Sequence, residues 1–274
     1  MKKPTAILMG SKPASVVALS ILLKKGWGVK YVVISKGSSP RWLSGKKVED
    51  LAKEHQIPVV TQDKLPRDKE VDFVISYMYR NLVKPDVLAM AKRAAVNFHA
   101  APLPEYGGWA FYNLAILENA SEYGCTCHHM SEKFDTGPIL KVRRFPIVAS
   151  EETAVTLERK TQSEMIKLFI DVCDVIEAGE ELPKIPQDPN KMRYVTLKEF
   201  ETLKKIPDNA DRETIERHAR AFWYPPYQCA YVEKGDVKLE VVPELAKESL
   251  ATIIHADDLA RLSAVASQHG RDGK

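Results

Sequence analysis

The apolar positions of this 274-residue chain change their spacing several times, and each change marks an element. Short runs rich in apolar residues at 6–9, 31–34, 59–60 and 72–76 have the length of buried strands. Between them, 16–25, 48–55 and 85–92 space their apolar residues three and four apart, as a helix with one buried face requires. Gly26 is a natural stop for the first of these helices. The alternation of strands and helices predicts an α/β fold: a doubly wound, mostly parallel, Rossmann-like sheet with helices on both faces.

A fifth strand is expected at 95–99, after which Pro102, Pro104, Gly107 and Gly108 signal a loop. Beyond it, 110–118 is predicted as a helix, and 125–130 and 139–147 as strands. Residues 153–178 form one long helical pattern with Thr153 at its start and Gly179 just past its end. Its apolar positions, among them Val155, Leu157, Met165, Leu168, Phe169, Val172 and Ile176, form a packing face. Three prolines in 182–190 indicate a linker. The expected division is therefore an N-terminal catalytic domain at 1–181, a linker at 182–191 and a small C-terminal α+β region at 192–274. Within that last region, 231–242 has the signature of a β-hairpin with Gly235-Asp236 at its turn. A helical tail is expected from Pro243 to about Ser267.

Composition narrows the functional classes. A net charge of +3 announces no broad surface for nucleic acid, and no stretch is apolar for long enough to cross a membrane. Four cysteines do not make a disulfide scaffold, and the opening apolar run is too short for a signal-peptide core. A reducing, cytoplasmic setting is the expectation.

The candidate chemistry is concentrated around Asn97-Phe98-His99 and Asp135. Period-two alternation puts Asn97 and His99 on one face of a strand. An amide, an imidazole and a carboxylate can bind a carbonyl oxygen, move a proton and orient the imidazole, which are the three tasks of acyl or formyl transfer to an amine. Cys125-x-Cys127-His128-His129 has ligand-type residues, but no second cysteine pair at finger spacing accompanies it, and no metal is expected. Gly10-Ser11-Lys12 matches no phosphate-loop pattern and is taken as a turn into a helix. Trp109 and Tyr112 could stack on a sugar or base, or begin the core-facing side of a helix.

Four segments in fixed order resemble the folate-dependent formyltransferase family: Ser76-Tyr77-Met78-Tyr79-Arg80, Val96-Asn97-Phe98-His99-Ala100-Ala101-Pro102-Leu103-Pro104, Gly124-Cys125-Thr126 and Phe134-Asp135-Thr136-Gly137. They span roughly the first two thirds of the chain. The segment 101–106 and the later Arg220-Ala221-Phe222-Trp223-Tyr224-Pro225-Pro226-Tyr227 resemble the branch that formylates nucleotide-linked amino sugars. The resemblance implies Asn97, His99 and Asp135 as the catalytic set and 10-formyltetrahydrofolate as donor. It implies Met78, Tyr79, Arg80, Leu82 and Phe134 along the cofactor, and Pro104, Tyr106, Gly108, Trp109, Tyr112 and Tyr224 along a dTDP-, UDP- or GDP-linked amino sugar destined for surface polysaccharide such as O-antigen. A homodimer through the C-terminal region is also implied. A histidine at the place of His128 occurs in some sugar-modifying members.

Two positions depart from the family pattern: Gly107 stands where arginine is common, and Pro138 follows Gly137 where aspartate is common. Both bear on substrate placement more than on the trio. A methionyl-tRNA formyltransferase would instead carry an RNA-binding barrel after the linker. A purine-pathway formyltransferase would lack the aromatic-proline block. A hydrolase would use the same trio on water, and a pure binder of folate or nucleotide sugar would not need it.

Overall fold

The computed structural model describes residues 3–35, 45–247 and 250–251. Seven strands form one sheet in the order β3-β2-β1-β4-β5-β7-β8. β1 (Thr5–Met9), β2 (Gly28–Ile34), β3 (Val59–Thr61), β4 (Val71–Tyr77) and β5 (Ala91–His99) run parallel. β7 (Glu122–His129) and β8 (Ile139–Pro146) add on antiparallel beyond β5. The mostly parallel α/β sheet expected from the alternation is the one observed.

Parity along each strand sorts side chains onto two faces. Ala6 and Leu8 of β1 join one cluster, Ile7 and Met9 the other, and all four are fully buried. The first face packs against α1 (Pro13–Lys24), α2 (Val48–Glu54) and α5 (Ala154–Ala178). α1 begins with Pro13 in its first turn, where a missing N–H costs nothing, and stops at Gly26 with φ 78°. α5 is capped by Thr153 Oγ1, which accepts from the Thr156 N–H at 3.2 Å, and ends at Gly179 with φ 76°. The other face is closed by α3 (Pro85–Leu88) and the loops beside it.

The helix expected over 85–92 is shorter than its pattern. It ends at Leu88, and Ala91 and Lys92 already belong to β5. Pairing with β4 decides this: Val71 lies opposite Ala91 and Phe73 opposite Ala94, and the buried Ala94, Val96 and Phe98 keep strand period. The Arg93 guanidinium lies 4.8 Å from the Phe73 ring centroid across that pair of strands.

The first three strands step outward from β1, and the chain then returns to β1's other side as β4. The carboxyl ends of β1 and β4 are thus a topological switch point, where open α/β sheets hold ligands. β5 ends beside them, followed by the loop of β6 (Gly107–Gly108) and α4 (Phe111–Leu117).

After α5 the chain crosses back over this edge. Ile185 makes an antiparallel bridge to Ile139, and β9 (Tyr194–Val195) pairs in parallel with β6. Two helices not expected from the sequence reading follow, α6 (Leu197–Leu203) and α7 (Arg212–Ala221). The expected hairpin is present as β10 (Tyr231–Lys234) and β11 (Val237–Glu240), turning at Gly235 with φ 61°. Ile206, Ala221, Phe222 and Ala230 are buried in the same cluster as the main sheet. Buried Arg220 ties α7 to the chain before α5 by donating to the carbonyls of Ala149 and Glu152. The tail expected to be helical up to about 267 lies mostly outside the described residues.

β6 pairs with β9 because of its glycines. Gly108 has φ 84°, and a Cβ there would lie 2.2 Å from the Val195 carbonyl oxygen. Gly108→Ala is therefore expected to cost at least about 1–2 kcal/mol from the backbone alone, plus the displaced pair. A lowered urea midpoint checks it.

Candidate active site

β5 delivers Asn97 and His99 to the sheet's carboxyl edge, and the β7–β8 loop delivers Asp135 opposite them. His99 Nδ1 stands 3.6 Å from Asp135 Oδ1. The other ring nitrogen, Nε2, is 2.8 Å from the Tyr106 carbonyl oxygen, so it carries a proton and donates it. In the neutral ring Nδ1 then holds the lone pair, directed where Asp135 can stabilise the charged form. The ring packs edge-on to Phe111, with centroids 5.2 Å apart. Asp135 Oδ2 also accepts from the Gly108 N–H at 3.2 Å.

Asn97 is oriented by a residue beyond the expected trio. His128 lies opposite Asn97 in the β5–β7 register. His128 Nδ1 is 2.8 Å from the His129 carbonyl and must be the protonated nitrogen. Its Nε2 therefore accepts from Asn97 Nδ2 at 3.0 Å. One amide hydrogen is spent on this bond and the second remains for a ligand oxygen. His128 Nε2 is also 3.8 Å from Asp135 Oδ1.

Burial pulls the His128 pKa down to about 4, an effect that nearby Asp135 opposes only in part. The folded state thus binds fewer protons than the unfolded state between about pH 6.5 and 4. His128 costs no stability above about pH 6.5, and stability falls as pH drops from there towards 4. His128→Asn should flatten that part of the stability–pH curve, measured by urea unfolding from pH 7 to 4.

The other sequence-chosen residues fall into three places. Tyr106 and Gly108 touch the trio through their backbones, and buried Pro104 precedes them. Tyr79, Arg80 and Leu82 line a cavity of about 670 Å³ together with half-exposed Trp109, Ser35, Thr61 and Gln62. Ser35 Oγ and Thr61 Oγ1 are buried there without a protein partner. Gln62 braces the cavity wall, accepting from the Lys84 N–H and donating to the Leu82 carbonyl. Met78 is outside that lining, with φ 54° and its sulfur against Gln162 of α5. Phe134 is exposed beside Asp135.

Tyr112 and Tyr224 are drawn to α5 instead. Tyr224 donates to Glu158, while Tyr112 is buried among Phe111 and Tyr123 with its hydroxyl unpartnered. For Tyr112 the packing reading describes its ring, and the free hydroxyl leaves it a polar handle. Cys125 and Cys127 are buried in the cluster that includes Met165, Phe169 and Cys173 of α5. Burial pushes the Cys125 thiol up to about 12.

Several residues at this site were not singled out from sequence. Gln187 donates to the backbone beside Asp135. Tyr194 lies close enough that burial, with the Asp135 charge adding to it, pushes its phenol up. A Cβ on Gly107 would lie 3.1 Å from the Arg193 carbonyl and 3.4 Å from the Tyr194 ring. The departure from the family's arginine is thus where the returning chain crosses. His128 did carry a signal, since it sits within Gly124-Cys125-Thr126-Cys127-His128. Gln187 and Tyr194 carried none.

The family model described as "Formyl transferase" matches residues 16–173, more than half of the chain. The chain belongs to the formyl transferase family. A methionyl-tRNA formyltransferase of Listeria monocytogenes is 30% identical over 261 residues, covering 89% of this chain and 80% of the relative. One of Levilactobacillus brevis is 27% identical over 249 residues, 86% and 77% of the two chains. Among solved structures, an N-formyltransferase from Helicobacter canadensis with folinic acid and dTDP-3-aminofucose superposes with TM-score 0.69 at 22% identity, over 87% of this chain and 86% of that one. A 4-N formyltransferase from Francisella tularensis gives 0.71 at 18% identity, over 88% and 98%. These likenesses establish the fold. At the carboxyl edge of β5 the chain brings together the Asn97 amide, the His99 imidazole and the Asp135 carboxylate.

Proposed function

We propose that this formyl transferase moves the formyl group of 10-formyltetrahydrofolate to the amine of a nucleotide-linked amino sugar. The observation carrying the reaction is the convergence of Asn97, His99 and Asp135 at the carboxyl edge of β5, with a free amide hydrogen on Asn97 and the His99 Nδ1 lone pair facing Asp135. An acceptor arriving as an ammonium first sheds a proton, which Asp135 can take. The amine nitrogen then bonds to the formyl carbon, and the bond from that carbon to N10 breaks. The proton lost by the attacking nitrogen passes by His99 Nδ1 to N10. The oxygen that gains charge in between is met by the second Asn97 hydrogen.

The acceptor class is supported by the extent of the fold. The Helicobacter canadensis and Francisella tularensis formyltransferases superpose over 87% and 88% of this chain, and the former holds folinic acid and dTDP-3-aminofucose. The cavity along Tyr79, Arg80, Leu82 and Trp109, about 670 Å³, has the size for a small polar ligand. The dimer we infer would use the hairpin, where Val237 and Leu239 are half-exposed, with Tyr227 exposed nearby. Cytoplasmic residence follows from a folate donor.

A second reading, formylation of methionyl-tRNA, is favoured by the relatives near 30% identity. Among the described residues beyond α5 are α6, α7, the β10–β11 hairpin and β9, which pairs with β6. The test is to incubate the protein with 10-formyltetrahydrofolate and, separately, dTDP-, UDP- and GDP-linked amino sugars, methionyl-tRNA or no acceptor. A one-formyl mass gain on a sugar supports the reading. A gain on methionyl-tRNA alone, or release of formate, replaces it.

A further inference from the structure

We propose that Gln187 is a positioning residue that holds Asp135 against His99, and that the proline-bearing segment around it braces the catalytic loop. The inference rests on Asp135 serving formyl transfer. Asp135 sits at φ 55°, a left-handed conformation that aspartate tolerates but does not prefer. Within the loop, exposed Ser131 Oγ pairs with Thr136 Oγ1 at 2.8 Å and donates to the Lys133 carbonyl at 3.0 Å, and across to β6 Asp135 Oδ2 accepts from the Gly108 N–H at 3.2 Å.

Gln187 reaches this loop from the far end of α5. Its Nε2 donates to the Asp135 carbonyl at 2.7 Å and to the Gly137 carbonyl at 2.8 Å. Two hydrogens on one nitrogen span the carbonyls on either side of Thr136. The amide has one workable orientation, because its oxygen facing two carbonyls would be repelled. Gly137 is pressed in from the other side, where a Cβ would come 1.8 Å from the His129 carbonyl. The Asp135–Thr136 and Gly137–Pro138 peptides are therefore held by Gln187 while Gly137 lies against the end of β7, which fixes the Asp135 backbone on its carbonyl side.

The brace is itself fastened. Ile185 exchanges both backbone bonds with Ile139 at the start of β8, at 2.7 and 2.9 Å. His129 Nε2 donates to the Pro183 carbonyl at 2.9 Å. Pro183, Pro186 and Pro189 favour extended backbone and lower the entropy lost in holding it. The chain thus returns from α5 to both strands that bound the Asp135 loop before it crosses to β9.

Gln187→Met keeps the length and removes both donors; Gln187→Glu puts a carboxylate against two carbonyls. Both should lower kcat about 10- to 100-fold, with a much smaller change in the KM for 10-formyltetrahydrofolate. A merely structural role is separated by a cycle with Asp135→Asn. If Gln187 acts through Asp135, Gln187→Met lowers the residual rate of Asp135→Asn by less than about twofold. Wild-type kcat in Gln187→Met, or losses that multiply fully in the double variant, overturns the proposal. If the wild-type protein formylates no acceptor in the panel above, the functional reading fails separately. The crystal structure of Gln187→Met then decides the inference: Asp135 departing from its left-handed φ upholds it, and Asp135 unmoved overturns it.

Discussion

His99→Ala is expected to reduce formyl transfer roughly 10²- to 10⁴-fold while the protein still folds and binds folate. His99 is buried at the end of β5, so its loss leaves a small gap beside Phe111 without disturbing the strand. What disappears is the lone pair at Nδ1, 3.6 Å from Asp135, and with it the route from the attacking amine to the departing nitrogen. Asn97→Ala should cost roughly 10²- to 10³-fold through the lost oxyanion donor. It also leaves the buried His128 Nε2 without its partner. Steady-state rates with the panel's active sugar, set beside folate binding by calorimetry, check both. Full turnover in His99→Ala would remove the imidazole from the reaction. A protein that binds folate without turnover would lose nothing measurable in either variant.

The largest effect on stability is expected at Phe169. This α5 side chain is fully buried, edge-on to Tyr77 at 5.6 Å and 4.9 Å from the Phe98 centroid. Phe169→Ala should cost about 3–5 kcal/mol, from lost transfer energy and the cavity left behind, and lower the melting temperature by roughly 10 °C. Phe98 lies between Asn97 and His99 in sequence, with its ring on the opposite side of β5 from theirs. The three rings thus pin the strand end that presents the site, and the variant's rate should fall along with its stability. Urea unfolding with an unchanged m value would show that the loss is one of packing. A midpoint close to wild type would mean that neighbouring side chains refill the space.

Much of the fold was legible because its signals are local. The apolar runs of β1, β2 and β4 have no alternation to confuse with a helix, and α5 carries its pattern between Thr153 and Gly179. The overlong helix at 85–92 shows where local spacing misleads, since pairing with β4 outweighs a turn of weak helix. α6 and α7 did carry local start signals, the Thr196–Glu199 capping box and the Asp211 N-cap, although few of their residues are buried.

The site divides in the same way. Asn97 and His99 could be placed on one face from strand period, and their ordered match with Asp135 pointed to formyl transfer before any coordinates. The contacts of Tyr112 and Tyr224 with the residues around α5 could not be read that way. Nor could the pairing of Asn97 with His128, which follows from the β5–β7 register, or the reach of Gln187 to Asp135 across 52 residues. Periodicity and capping act over a few residues and are written where they act. A hydrogen bond between distant segments exists only once packing has brought them together, so the aim of Asp135 and the orientation of Asn97 are properties of the folded chain.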